Sequence, residues 1–337
     1  MTGGGGRTIG RRLLTRPEAS IVVVTAVTVL YFALTTDRFA GHANFVTLLP
    51  FFAPFAILAA GEVLLMVSGE IDLSIGSVTL FAPFMVHELD HAGLPLLACV
   101  LLALACCAAV GLVNGLVTQV AGVTSFITTL GTLLALGGLT LVISHAAPVA
   151  MPGASVVTDA AGNPSVGTFA RVFGAGTYSE LLWALAIVAG VQLTLSATRW
   201  GRHAVAVGGN RLAAAELGIA VDRVVVRNFV LCSVLAGFAG ILEAVRTSTV
   251  TPDTAGASET MFRALAAVVI GGTLLAGGTG TAVGALVGAL FLGVLRDGLT
   301  LKGVDAEYLD LILGLAILLA MVIGVRVSRL RTGALRG

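Results

Sequence analysis

The feature that most constrains this chain is its scarcity of charge. Its 337 residues include 19 Lys and Arg and 18 Asp and Glu, so that 11% are charged and 57% are hydrophobic. A soluble globular chain carries roughly a quarter charged residues and just under half apolar ones. So few charges cannot form a water-facing surface, which excludes a soluble domain, a disordered chain and a coiled coil. The composition indicates a membrane protein, and a net charge of +1 argues against a nucleic-acid partner.

Ten apolar stretches follow one another along the sequence, separated by Gly, Pro or charged residues. A membrane helix needs about 20 mostly apolar residues, and the 43 Gly suit helices that pack closely in lipid. We therefore predict an all-α polytopic membrane protein with about ten transmembrane helices. The predicted spans lie near residues 20–35, 46–67, 75–88, 94–113, 125–144, 180–197, 224–245, 262–276, 280–299 and 309–325.

Basic residues collect on one side of this ten-span arrangement. Cytoplasmic loops are enriched in Lys and Arg, and 13 of the 19 basic residues fall on the side that also holds both termini. We therefore predict an inner (plasma) membrane protein with both termini in the cytoplasm. Its organisation is a disordered basic tail at 1–19, one transmembrane domain at 20–325 and a basic tail at 326–337. Within the domain, 145–179 is predicted to be a periplasmic loop and 197–221 a cytoplasmic one.

The cytoplasmic loop contains a helix signal of its own. Asn210 is a favourable N-cap, Arg211–Leu217 is helix-forming, and Gly218 suits the left-handed position that ends a helix. A helix of about two turns is not stable alone in water, so it must dock on something. It is either an ordinary connection between spans or a contact surface for a cytoplasmic partner.

The sequence contains no ATP-binding motif. A P-loop requires a Gly-rich turn followed by Lys, and the one lysine of the chain is Lys302, in the context LTLKG. We therefore predict a transport protein that is not itself an enzyme, hydrolyses no ATP and binds no cofactor.

Two other function classes remain open from the residues alone. A proton-coupled carrier needs an unpaired acid in the membrane. Glu62 is the plausible case, because acids such as Glu243 have a basic partner at helical spacing, here Arg246. A membrane metalloprotease needs a zinc site, and His87–His91 has HExxH spacing. That match lies at a span end with no obvious third ligand after it, which favours a solvated turn and no metal.

The segment 68–77 (SGEIDLSIGS) interrupts an otherwise apolar stretch. Acid, Ser and Gly together break a helix and restart it, with Asp72 or Ser74 as the cap. Discontinuous helices line cavities in transporters, because their free backbone groups must face protein or water. The segment is either such a broken helix or a short turn between two spans.

Four blocks of the sequence, in order, resemble the permease subunits of ribose-type (simple-sugar) ABC importers. The resemblance covers roughly residues 45–325. The blocks are 69–77 (GEIDLSIGS), 111–115 with 124–131 (GLVNG and TSFITTLG), 201–219 (GRHAVAVGGNRLAAAELGI) and 266–298 (AAVVIGGTLLAGGTGTAVGALVGALFLGVLRDG).

The resemblance implies an importer of a ribose-like monosaccharide that works by alternating access. Its partners would be ATPase subunits that use ATP and Mg²⁺, a periplasmic or lipid-anchored sugar-binding protein, and a second permease chain, with a homodimer favoured. We predict coupling to the ATPase at Gly208, Gly209, Asn210, Arg211, Ala213, Ala214, Glu216 and Gly218, of which all but Arg211 and Glu216 match the family's coupling segment. We predict the translocation path at Glu70, Asp72, Ser74, Asn114 and Asp297, of which Asp72, Ser74 and Asn114 match family motifs.

The sequence departs from the family pattern at two places. Glu70 stands where many members have Gly, and Arg296-Asp297 stands where Asn-Asn is common. Both departures put charge near the path or its rim. The residues alone therefore leave the substrate open, because related permeases also carry nucleosides, branched-chain amino acids or signalling sugars.

Overall fold

A computed structural model describes residues 18–154, 156–158 and 164–334 of the chain. The helices are α1 (Ala19–Thr35), α2 (His42–Val67), α3 (Ile75–His91), α4 (Leu96–Gln119), α5 (Ser125–Ile143), α6 (Thr168–Val172), α7 (Ser179–Ala197), α8 (Arg199–Gly209), α9 (Arg211–Glu216), α10 (Val221–Thr247), α11 (Thr254–Ile270), α12 (Ala282–Leu301) and α13 (Ala306–Ala334). Four short strands accompany them: β1 (Val149–Ala150), β2 (Val156–Thr158), β3 (Pro164–Val166) and β4 (Thr249–Val250). The prediction of an all-α protein is confirmed.

A helix lies over each of the ten predicted apolar stretches, but the number of membrane spans is not confirmed. Within the described residues, six helices are long and apolar enough to cross a membrane, namely α2, α4, α5, α7, α10 and α12. The helices α1, α3 and α11 have 17 residues each. At 1.5 Å per residue that is about 26 Å, less than the roughly 30 Å of a hydrocarbon core.

The two predicted basic tails fall partly outside the described residues, at 1–17 and 335–337. α13 continues to Ala334. Most of the predicted tail at 326–337 is therefore a continuation of the last helix, which no proline interrupts.

The centre of the bundle is α2. In its most apolar stretch 83% of the residues are buried, against 72% in α10, 61% in α12 and 28% in each of α4, α5 and α7. Both α10 and α12 pack along α2. Small residues allow this approach: a Cβ added to Gly61 would lie 3.2 Å from the Cα of Cys232. The central helix is thus surrounded by protein, and the outer helices present the apolar surface that lipid requires.

The connections between helices gather at two ends of the bundle. The first end holds 68–74, 120–124, 198–220 and 271–281, and the second end holds 36–41, 92–95, 144–154, 156–158, 164–178, 248–253 and 302–305. At the second end β1 pairs antiparallel with β4, with Val149 opposite Val250, and the backbone N–H of Met151 donates to Ser248 O (3.1 Å). β2 pairs with β3 in the same region. The polar side chains that cluster at the first end are different from those that cluster at the second end.

Candidate functional site

The connection between α2 and α3, residues 68–74, is buried at the first end. Asp72 and Ser74 have no exposed surface. Asp72 Oδ1 accepts hydrogen bonds from the backbone N–H of Ser74 (2.8 Å) and from its hydroxyl (2.6 Å). The predicted break is therefore present, and Asp72 satisfies a free N–H just ahead of α3. Because α2 and α3 both pack on α10, the break is a buried junction between two helices.

Three of the residues assigned to the path form one hydrogen-bonded chain. Asn114 on α4 donates from Nδ2 to Ser74 Oγ (2.9 Å), and its Oδ1 accepts from the hydroxyl of Thr132 on α5 (2.6 Å). Since the Ser74 hydroxyl in turn donates to Asp72, the chain runs from the junction to α5. Asp72, Ser74 and Asn114 are all fully buried. The structure thus brings these three predicted residues together in a cluster without exposed surface.

Glu62, the acid considered for proton coupling, belongs to the same junction. Its Oε1 accepts from the backbone N–H of Asp72 (3.0 Å), and its Oε2 accepts from the Cys232 thiol (3.2 Å). Glu62 is five residues before the end of α2 at Val67, about 8 Å along the helix. It therefore lies near one end of the bundle, with both carboxylate oxygens bonded to protein groups.

An ion pair joins α9 to this junction. Arg211 Nη2 lies 2.8 Å from Glu70 Oε1 and 3.0 Å from Gln119 Oε1, and Gln119 donates to Glu70 at 3.4 Å. The side chain of Glu70 is 9% exposed and that of Arg211 is 47% exposed. A carboxylate with so little water around it depends on its guanidinium partner, so breaking this pair is costly. Glu70, which we predict to lie on the path, is thus in contact with a residue predicted to act in coupling.

Five glycines bring three backbone segments into contact beside the ion pair. They are Gly69 in the junction, Gly208 and Gly209 at the end of α8, and Gly277 and Gly278 in the 271–281 turn.

The contacts leave no room for side chains at several of these positions. The backbone N–H of Gly278 donates to Val67 O (2.9 Å). A Cβ on Gly208 would collide with that carbonyl and lie 2.7 Å from the Gly278 nitrogen. Gly69, Gly277 and Gly278 have φ values of 87°, 84° and 80°, which glycine adopts without strain. The ends of α2 and α8 and the 271–281 turn are therefore packed backbone to backbone.

The predicted coupling helix is present as α9. Asn210 caps it, since its Oδ1 accepts the backbone N–H three residues further on (3.0 Å). Gly218 has φ 80°, the left-handed conformation expected after the helix. Ala214 is buried, whereas Leu212 and Leu217 are 78% and 81% exposed. Leu212 on α9 and Leu217 at its C-cap are thus apolar side chains that the described part of the chain leaves exposed.

A cavity of about 480 Å³ opens at the second end, between α2, α3, α10, α11 and α12. We call it the vestibule. Its volume is in the range of small-molecule sites. The polar side chains of its wall are those of Glu243, Arg246, Asp253, Glu259, Arg263, Arg296, Thr79, Thr247, Thr249, Thr251 and Thr260.

Short ion pairs join four charged groups of the vestibule, Glu243 with Arg246 and Glu259 with Arg263. Arg246 pairs with Glu243 on the same helix, and its Nε lies 3.4 Å from Glu180 Oε1 on α7. Arg263 pairs with Glu259 one turn away on α11. The pairing of Glu243 with Arg246 that helical spacing predicts is confirmed, and its place in a cavity wall is new information from the structure.

Within the described residues, none of the five path residues lines the vestibule. Asp297 is the one placed at the second end, where its Oδ2 accepts from Asn44 Nδ2 (2.8 Å). Asn44 and Glu62 are 18 residues apart on α2, about 27 Å. Asp297 is therefore separated from the cluster around Asp72 by most of the length of the bundle.

Asn228 is a residue of the first end that sequence reasoning missed. It is fully buried on α10, and its Nδ2 donates to Leu64 O (3.1 Å) and to Ser68 Oγ (3.0 Å). Its Oδ1 accepts from Trp200 Nε1 (2.8 Å). Trp200 lies near a span end, a position that predicts a membrane-interface anchor, and its indole N–H also ties α8 to Asn228 on α10. A lone Asn inside the apolar run 224–245 was the available signal.

The HExxH histidines pack against each other and against the second-end loop. The ring centroids of His87 and His91 are 4.4 Å apart, and His87 Nδ1 lies 3.1 Å from Ala150 O. In the part of the chain that the structure describes, no group of three or more His, Cys, Asp or Glu side chains could hold a metal ion. The structure thus gives these histidines a packing role beside β1.

Comparison of the sequence with known proteins identifies a matching family. The family described as "Branched-chain amino acid transport system / permease component" matches residues 44–321. The chain is 35% identical over 318 residues to the ribose import permease protein RbsC of Escherichia coli strain K12, covering 93% of this chain and 96% of that one.

Two further relatives carry names of other sugars. The chain is 32% identical over 325 residues to the xylose/arabinose import permease protein XylH of Sulfolobus acidocaldarius, covering 93% of this chain and 86% of XylH. It is 29% identical over 321 residues to the galactose/methyl galactoside import permease protein MglC of Escherichia coli, covering 91% and 93%. No solved structure matches the chain with statistical significance.

Proposed function

This chain belongs to the permease family of ribose-type, simple-sugar ABC importers, and on that premise we propose that it carries a ribose-like monosaccharide across the inner membrane. Permeases of this family are multi-pass transport subunits that work with separate ATPase and binding-protein subunits. The named substrates of the relatives are pentoses and a hexose, which supports a monosaccharide here.

The observation that carries the proposal is the contact between α9 and the α2–α3 junction. An ATPase that closes around ATP would press on the exposed Leu212 and Leu217. Arg211 would pass the displacement to Glu70, and Gly208 would pass it to the end of α2. Because α2 is the central helix and its other end lines the vestibule, one displacement acts on both ends of the bundle.

Alternating access follows from this connection. The vestibule is open at the second end, while the cluster of Asp72, Ser74 and Asn114 closes the first end. A push on α9 would rearrange that cluster, because α2 and α3 join there. The ATPase must contact α9 differently in its two states, since a contact of equal strength in both would shift no equilibrium.

The proposed topology has ten spans, α1–α5, α7 and α10–α13, in one transmembrane domain. The bias of Arg residues supports a cytoplasmic first end and cytoplasmic termini. Spans as short as α1, α3 and α11 are accommodated by local thinning of the bilayer. The vestibule would then face the periplasm.

The proposed complex contains two permease chains, identical in the simplest arrangement, with ATPase subunits on α9 and a binding protein over the vestibule. ATP and Mg²⁺ would be bound by the ATPase and not by this chain. A proton-coupled carrier has less support, because Glu62 is hydrogen-bonded through both oxygens at one end of the bundle. The relatives give no support to a metalloprotease.

Uptake into proteoliposomes tests the proposal. The permease is reconstituted with its ATPase and binding-protein partners, and supplied with radiolabelled D-ribose, D-xylose, L-arabinose or D-galactose. We expect uptake of at least one sugar that needs ATP, ATPase and binding protein together, and that persists in the presence of a protonophore. Uptake that survives removal of the ATPase and stops with a protonophore would replace this proposal with a proton-coupled carrier.

A further inference from the structure

We propose that the vestibule is the site where the permease first holds the sugar, and that Arg296 donates a hydrogen bond to a sugar oxygen there. This inference rests on the proposed function, since it names the place where that function's substrate binds. It concerns the second end of the bundle, away from every residue that the resemblance assigns to coupling.

Most charges in the vestibule wall are already paired. Arg246 pairs with Glu243, and Arg263 pairs with Glu259 and lies 3.5 Å from Asp310 Oδ1. Each carboxylate can still accept further hydrogen bonds, because it has about four lone-pair sites. A wall of paired charges and threonine hydroxyls suits a neutral polyhydroxyl molecule.

Of the three arginines in the vestibule wall, Arg296 has only a long ion pair. Its Nη1 lies 3.8 Å from Glu259 Oε1, too far for a hydrogen bond. That nitrogen is buried and has no hydrogen-bond partner among the described residues. The guanidinium lies over the ring of Phe51, 5.7 Å from its centroid. The side chain as a whole is 30% exposed and lines the vestibule, so a ligand oxygen in the cavity can approach the guanidinium and accept a hydrogen bond from it.

Arg296 also stands at the limit of the polar wall. Together with Glu259, Arg263, Phe51 and Phe55 it separates the vestibule from a second cavity of about 490 Å³. Apart from these residues, Ser258 and Asp310, that second cavity is lined by apolar side chains of α11, α12 and α13. A sugar that enters from the second end therefore meets the charged groups of Glu259, Arg263 and Arg296 at this boundary, which suits a holding position.

The geometry assigns roles to three side chains. The Arg296 guanidinium donates to a ring or hydroxyl oxygen, while Glu243 and Glu259 accept hydrogen bonds from hydroxyl groups of the same molecule. Arg296 is therefore proposed to influence which monosaccharide is accepted, because a sugar with an oxygen in hydrogen-bonding position to its N–H groups binds more tightly.

The test uses the complete reconstituted importer with Arg296→Asn, Arg296→Lys and a matched control, Arg38→Asn. Arg38 is exposed at the second end, outside the vestibule, and its φ of 72° is tolerated by Asn. We expect Arg296→Asn to lower sugar uptake roughly tenfold, the effect of losing one hydrogen bond to a charged group. ATP hydrolysis stimulated by the binding protein should persist, and Arg296→Lys should recover part of the uptake.

Sugar preference separates ligand contact from a structural role. If Arg296 contacts the sugar, Arg296→Asn changes the ratio of the uptake rates of D-ribose, D-xylose, L-arabinose and D-galactose. Misfolding would instead lower all four uptake rates by the same factor. Uptake equal to that of Arg38→Asn for every sugar, in an importer whose wild type is active, overturns the vestibule assignment and leaves the proposed function intact. A wild type that imports none of these sugars defeats the proposed function itself.

A labelling measurement keeps the proposal testable if Arg296→Asn fails to fold. Thr251→Cys places a thiol in the vestibule wall, and Asp305→Cys places one in an exposed turn of the same end. We expect the transported sugar to slow the reaction of a membrane-impermeant maleimide at position 251 and not at position 305. Equal reaction rates with and without sugar at position 251 would overturn the assignment.

Discussion

Glu70 and Arg211 are 141 residues apart in the chain, yet Glu70 Oε1 and Arg211 Nη2 lie 2.8 Å apart. Glu70 belongs to the buried junction between α2 and α3, and Arg211 begins the exposed helix α9. Gln119, the last residue of α4, hydrogen-bonds to both. The junction, the end of α4 and the start of α9 thus meet at the Glu70 carboxylate, which connects a surface helix to the centre of the bundle.

Reversing the charge of Arg211 should uncouple transport from ATP. Arg211→Glu would place two carboxylates in contact, which costs more than about 1.4 kcal/mol, the free energy of a tenfold change. We expect ATP-dependent uptake to fall roughly tenfold or more while the amount of permease in the membrane is unchanged. The double variant Glu70→Arg/Arg211→Glu should regain part of the activity.

Arg223→Glu is the control for this prediction, because Arg223 is an exposed arginine at the same end with no contact to Glu70. Its uptake should remain near that of the wild type. Normal uptake by Arg211→Glu would show that the ion pair plays no part in coupling.

Proline at position 210 should detach the ATPase without preventing insertion. The backbone of Asn210 has φ −158° and its N–H donates to Ala206 O (3.0 Å). Proline holds φ near −65° and has no N–H, a defect of about 3 kcal/mol or more. The start of α9 must then move. We expect Asn210→Pro to lose co-purification with the ATPase, whereas Asn210→Asp, which preserves the cap, should retain it. Equal recovery of the ATPase with both variants would contradict this expectation.

Alanine should be tolerated at one glycine of the 208–209 pair and not at the other. A Cβ on Gly208 would overlap the Val67 carbonyl, whereas a Cβ on Gly209 meets no atom within 4 Å. Overpacking of this kind typically costs about 1–3 kcal/mol. We expect Gly208→Ala to lower the thermal unfolding temperature of the detergent-solubilised permease, and Gly209→Ala to leave it near the wild-type value. The same temperature for both would contradict the packing described here.

The chain of hydrogen bonds through Asn114 should behave as one unit. Asn114→Ala removes the donor to Ser74 Oγ and the acceptor of the Thr132 hydroxyl, and we expect it to cost about 2 kcal/mol in the free energy of unfolding. Thr132→Val should cost about 1 kcal/mol. Because they share a bond, the double variant should lose less than the sum of the two. Strict additivity in denaturant titrations would show that the Thr132–Asn114 bond contributes nothing.

The positions of the helices could be predicted because apolar stretches are long and separated by clear breaks. Which helices lie inside the bundle could not be predicted. α2 and α4 are both long and apolar, yet 83% of the most apolar stretch of α2 is buried and only 28% of that of α4. Lipid and protein interior select the same side chains, so hydropathy cannot distinguish a central helix from an outer one. The number of membrane spans remains a prediction, because the helices α1, α3 and α11 are shorter than a typical bilayer core.

The candidate site was predictable where its signals are local. Asn210 and Gly218 mark the ends of α9 because capping depends on a few neighbouring residues. The contact between Glu70 and Arg211 depends on how distant helices pack, and no local pattern encodes it. In the same way, helical spacing predicts that Glu243 pairs with Arg246, but only the structure places that pair in the wall of a cavity.

The central position of α2 has a consequence for how the protein is made. Glu62 and its hydrogen-bond partner Cys232 are separated by 170 residues. At a synthesis rate of about 5–20 residues per second, roughly 10 to 30 s pass between their appearance. During that interval α2 carries a carboxylate whose partner helix does not yet exist. Until α10 is made, Glu62 can accept from the backbone N–H of Asp72 but not from the Cys232 thiol, so a nascent permease that stops before α10 leaves one carboxylate oxygen of Glu62 without its native partner.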